Sequence, residues 1–266
     1  MKKLLSIEYQ KLKKLNALKI ILLVYAVLSP LVLHLLYKFF SMILSALPGL
    51  AWDPYQFPDI WRFATYTSSY FNVLMGVIVV IAVTNEFSYR TFKQNVIDGL
   101  SIKEVILSKF IVVVFLSTIV SAYTFLVALL FGLFNGGTEN ILVDINYIVI
   151  YYLQTLCYFS FAFLFAVLLK RPAISIIFFI LAFVLETIIG SMFSAAGFEK
   201  AYAFFPLNAF SKLTPLPIFE ELLKTAQEQA QQVPFLLSMN VNILLSVGYM
   251  GLFFFIAYRV MKKRDL

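Results

Sequence analysis

Long apolar runs separated by short polar breaks dominate the chain, at about 18–40, 68–84, 104–134, 147–169, 173–197 and 236–258. Each is close to the roughly 20 residues a helix needs to cross a hydrocarbon core of about 30 Å. The runs are continuous, without the alternation of a barrel strand. The pattern predicts an all-α membrane protein, a single domain over 1–266 with six transmembrane helices. Before the first run, residues 1–19 place Leu4, Leu5, Tyr9 and Leu12 on one helical side, with Lys2, Lys3, Lys11, Lys13 and Lys14 mainly elsewhere. That arrangement predicts a helix lying in the membrane interface. Residues 41–67 combine Pro48-Gly49, Asp53-Pro54 and Pro58-Asp59 with Trp52, Tyr55, Trp61 and Tyr66, which predicts an external loop holding one short helical piece. A longer external segment, 198–235, separates the fifth and sixth spans. In it Phe219, Leu222, Ala226 and Ala230 mark one side of a helix that starts after Pro215 and Pro217.

Composition settles the solvent. The chain is 62% hydrophobic and 13% charged, about half the charged fraction that covers a soluble domain. Charge placement then gives an orientation. If the termini, residues 85–109 and the Lys170-Arg171 turn share one side, that side holds sixteen of the 21 Lys and Arg. The opposite side holds Lys38, Arg62, Lys200, Lys212 and Lys224 beside eight acids. The positive-inside rule accordingly predicts a multi-pass protein with both termini in the cytoplasm. Anionic lipid headgroups account for the net charge of +7, so no nucleic-acid partner is expected. Cys157 is the single cysteine and His34 the single histidine, which leaves neither a nucleophile–base pair nor a metal cluster to propose. No catalytic residue, metal site or bound cofactor is therefore expected. The pattern GxxxxGK[ST] is absent as well, so ATP, if used, must be bound by another chain.

The insert Asn85 to Lys109, NEFSYRTFKQNVIDGLSIKEVILSK, is the most distinctive stretch. Phe87, Thr91, Phe92, Val96 and Ile97 give a short helix an apolar side, with Arg90, Lys93 and Gln94 as polar contacts. Asp98-Gly99 stops it. Ser101, with Glu104 three residues on, forms a capping box that opens the next helix. A short helix held between two spans can carry a push from a partner into the membrane; an ordinary interfacial loop fits the same pattern.

The segment resembles the E-[FY]-x-x-x-T-x-[KR]…G-x-S/[KR]-x-x-x-x-x-K stretch after the second span of ABC-2 type permeases, at Glu86, Phe87, Thr91, Lys93, Gly99, Ser101, Lys103 and Lys109. The basic interfacial helix, the six-span order and the long last external loop extend the resemblance over essentially the whole chain. It implies the permease subunit of a bacterial ABC exporter in the inner membrane, paired with a second permease chain as a homodimer or heterodimer. Two copies of a separate ATPase would hold the ATP and Mg. Residues 85–99 would be the cytoplasmic coupling helix, meeting the ATPase through Glu86, Phe87, Arg90, Thr91, Phe92, Lys93 and Gly99. The many Phe and few polar groups within the spans point to an amphipathic, lipid-like or peptide cargo. The alternative is a non-transporting membrane anchor or sensor that recruits a cytoplasmic partner through the same insert.

Polar groups inside the spans are the other candidates. Glu186 is the most deeply placed acid, and a carboxylate there must face the interior, pair or stay protonated. It serves either a hydrogen bond across the bundle or a gate or cargo contact. Tyr151, Gln154, Thr155 and Tyr158 give the fourth span a polar side that either lines a pathway or bridges helices.

Overall fold

A computed structural model of the chain describes residues 2–45, 53–89, 91–217 and 235–263, and all regular structure among them is helical. In chain order the helices are α1 (Lys2–Lys14), α2 (Asn16–Ser45), α3 (Asp59–Ser69), α4 (Asn72–Ser88), α5 (Thr91–Ile97), α6 (Ile102–Gly136), α7 (Asn146–Leu169), α8 (Pro172–Ala195), α9 (Glu199–Tyr202), α10 (Pro206–Ser211) and α11 (Met239–Lys263). The helix expected around Phe219 to Ala230 lies outside the described residues, as does Trp52.

Five helices, α2, α6, α7, α8 and α11, are long and apolar enough to cross a membrane. The sixth expected crossing, 68–84, falls on a bent pair, α3 and α4, whose axes differ by 49°. The bend follows from a break in the hydrogen-bond ladder, where the Phe71 amide donates to Ser68 O at 3.0 Å, one residue short of the α-helical partner. Before the break, α3 lays Ile60, Trp61, Phe63 and Ala64 against Leu33 of α2 and Val127 and Ala128 of α6. Trp61 Nε1 also donates to Ile141 O at 2.9 Å.

Helix α7 is central, and small or polar side chains such as Thr155, Ala162 and Ala166 are buried among its bulky apolar ones. It packs against α3, α4, α6, α8 and α11. Some 72% of its most apolar stretch is buried, against 17% in each of α2 and α8. Those two helices consequently turn wide apolar faces outward, where a hydrocarbon solvent suits them. Close approach of α4 to α8 depends on Gly76, since a Cβ there would stand 2.6 Å from the Phe179 ring.

Pro30 sits inside α2. It has no amide proton, so the Ala26 carbonyl loses its helical donor. Tyr123 of α6 replaces it, its Oη donating to Ala26 O at 2.5 Å. Beside it Tyr25 Oη and Thr124 Oγ1 are 2.7 Å apart, so the proline site and its neighbour tie α2 to α6.

Candidate functional site

The insert after α4 is built from local rules. α5 ends in a paired motif in which Leu100 N donates to Asn95 O at 3.0 Å and Gly99 N to Val96 O at 3.1 Å. Gly99 sits at φ +97°, where a side chain is strained. Ser101 then caps α6, as the capping box predicts. Glu104 N donates to Ser101 Oγ at 3.3 Å, and Ser101 N to Glu104 Oε2 at 2.8 Å. The short helix thus hangs between two long ones with little freedom at its exit.

Its aromatic residues turn inward. Phe87 and Phe92 stack with centroids 5.2 Å apart, Phe92 is 2% exposed, and Lys170 Nζ lies 5.3 Å over the Phe87 ring. Glu86 is also buried, and it reaches across the bundle. Its Oε1 accepts from Lys109 Nζ of α6 at 2.5 Å and from Lys11 Nζ of α1 at 2.9 Å. Lys109 Nζ donates a second bond to Glu8 Oε1 of α1 at 2.7 Å, and Ser108 Oγ donates to the same oxygen at 3.2 Å. Lys11 stands 3.5 Å from Glu8. Two carboxylates and the Lys109 ammonium, almost removed from water, join α1, α4 and α6, with Lys11, 31% exposed, at the edge of the cluster. Buried charges persist only when paired in this way. Burial pulls the Lys11 pKa down, but the charges and hydrogen bonds of Glu86 and Glu8 outweigh it, and the net shift is upward.

Three of these four groups were missed as site residues in the sequence. Glu8 precedes Leu12 by four positions and Leu15 by seven, so a helical wheel puts it on the apolar side of α1. Lys109 shares a face with Val105, Val112 and Leu116. A charge on an apolar face was the available signal.

What the segment offers outward is a different set. Tyr89 and Ile97 are 76% and 81% exposed, with Gln94 and Asp98 exposed between them and Thr91 partly so. A cavity of about 300 Å³ separates α1 from the α4–α5 corner and is lined by Lys11, Leu12, Glu86, Tyr89 and Thr91. Of the expected contact residues, Glu86 and Phe92 therefore hold the segment in place rather than presenting it. Arg90 and the Lys93 side chain lie outside the described parts.

The polar groups of α7 bridge helices. Tyr151, Gln154 and Thr155 are fully buried. Tyr151 Oη donates to Ser68 O at 3.3 Å, Thr155 Oγ1 to Asn72 Oδ1 at 3.3 Å, and Gln154 Nε2 to Phe210 O at 2.8 Å. Thr214 Oγ1 donates to Gln154 Oε1 at 3.1 Å. Tyr158 and Glu186 differ, since both line a cavity of about 710 Å³ at the α9–α10 end of the bundle. Glu186 Oε1 accepts from Asn208 N at 2.7 Å, in the first turn of α10. His34 Nδ1 is 3.1 Å from Tyr55 Oη, and among the described residues no group of three His, Cys, Asp or Glu could hold a metal.

Fold and site together define a helical protein with membrane-crossing segments and an ion-locked short helix at one end. The chain belongs to DUF2705, a family described as a protein of unknown function, whose profile matches residues 53–266. The match covers Glu86 and Lys109 but begins after Glu8 and Lys11. No curated protein matches the chain.

Proposed function

We propose that this chain is the membrane-spanning permease subunit of an ATP-driven exporter in a bacterial inner membrane, with the α1–α5 end in the cytoplasm. A separate ATPase, two copies per permease pair, supplies ATP and Mg and docks on residues 85–99. Alternation between inward- and outward-open states, biased by the ATPase, moves an amphipathic cargo. The observation that carries this reading is the mounting of α5. It is tied to α4 through Phe87 and Phe92, stopped at Gly99, and braced by the Glu86–Lys109–Glu8 bridge, while Tyr89 and Ile97 stay bare. Force applied to a surface held this way passes into three helices instead of being lost in a loop.

The docking surface is accordingly the Tyr89, Gln94, Ile97, Asp98 face. Ile97→Glu and Tyr89→Ala should each weaken copurification of a Walker-motif ATPase by roughly tenfold, the scale of a lost interface anchor. They should leave the permease folded. Undiminished complex in the double variant removes α5 as the docking element. A complex that forms yet moves nothing in an ATP-fuelled vesicle assay favours the anchor or sensor reading.

A further inference from the structure

The cavity of about 710 Å³ is where a carboxylate, tyrosine rings and an unused buried acceptor meet. Glu186 of α8 enters it with one oxygen bonded to Asn208 N. Asn242 of α11 is 3% exposed; its Nδ2 donates to Leu237 O at 3.4 Å, but its Oδ1 has no hydrogen-bond partner among the described residues. A buried acceptor left in that state is costly unless something donates to it. Tyr70 and Tyr158 add aromatic walls, and Val73 and Leu207 an apolar one.

Acceptors with capacity to spare, one of them anionic, call for a ligand rich in donors. An ammonium group has three donors and no acceptor, and the faces of tyrosine rings attract a cation. An acidic head would meet the Glu186 carboxylate, and a purely apolar ligand would leave Asn242 Oδ1 unpaired. Lys212 also faces the cavity, but it has an interaction of its own. We propose that this cavity binds the ammonium head of an amphipathic amine, with Glu186 as counter-ion, Asn242 Oδ1 as second acceptor and Tyr70 and Tyr158 as ring walls. As a statement about cargo it rests on the exporter reading; as a statement about binding it does not, because no ATPase takes part in its test.

Full-length protein in nanodiscs of zwitterionic lipid is titrated with a fluorinated phenylpropylamine and with the alcohol and carboxylic acid of the same shape. Fluorine NMR reads the binding, with empty nanodiscs as the blank. The amine should bind about tenfold more tightly than the alcohol, the scale of a charge-assisted hydrogen bond, and the acid more weakly still. Glu186→Gln, which keeps an acceptor for Asn208 N, should abolish the preference for amine over alcohol. Asn242→Asp adds a second carboxylate and should tighten amine binding several-fold, a gain that damage to the fold cannot mimic. Equal binding of amine and alcohol, no binding of either, a preference that survives Glu186→Gln, or weaker amine binding in Asn242→Asp each overturns the proposal.

Discussion

Lys109 is the residue on which three helices depend. Replacing it by Met leaves Glu8 and Glu86 buried side by side with only the partly exposed Lys11 to pair with them, at 3.5 and 2.9 Å. The expected cost is roughly 3–5 kcal/mol, as for other broken buried ion pairs, measured by denaturant unfolding in bicelles. Glu86→Gln in the Lys109→Met background should recover part of that loss, because it removes one of the stranded charges; purely additive losses would show that the two groups do not interact. Lys11 gives the cluster a pH signature. Its pKa is raised above the ordinary 10.5, so its contribution is complete below that value and disappears as pH rises through the higher folded-state value. Stability should therefore hold to about pH 10 and then fall, and Lys11→Met should flatten that fall. The four charges were all visible in the sequence, but their pairing was not, since it depends on helices far apart in the chain coming together at one depth.

At the scale of elements, a proline and a tyrosine act as one unit. Tyr123→Phe strands the Ala26 carbonyl that Pro30 has already deprived of its amide donor, at a cost of about 1–3 kcal/mol. Adding Pro30→Ala to Tyr123→Phe restores an intrahelical donor and should return most of that stability; a double variant as weak as the single one would mean the carbonyl is satisfied in another way. The capping box at Ser101 and the stop at Gly99 were legible because each is written in a few adjacent residues. The bend between α3 and α4 was not, because Tyr70 and Phe71 are unremarkable in a helix. The break there accompanies the packing of Trp61 and Phe63 on α6.

For the molecule as a whole, hydropathy located the long helices to within a few residues, since the solvent acts on every position of a span. It could not rank them, and the inner place of α7 comes from small and polar residues, Thr155, Ala162 and Ala166, that let neighbours close in. The same limit applies to the segment after α4, where the period showed an apolar side but not whether Phe92 faced a partner or the chain's own core. One further consequence concerns time. The bridge from Glu8 to Lys109 spans 101 positions, so during synthesis α1 is made long before the cation that fixes it. Until α6 is in place Glu8 belongs in water, and α1 should wait undocked while the first spans insert. Nascent chains halted after residue 100 should then leave α1 open to protease and those halted after residue 195, with α6 clear of the ribosome, should shield it; equal cleavage of the two would show that α1 docks without the bridge.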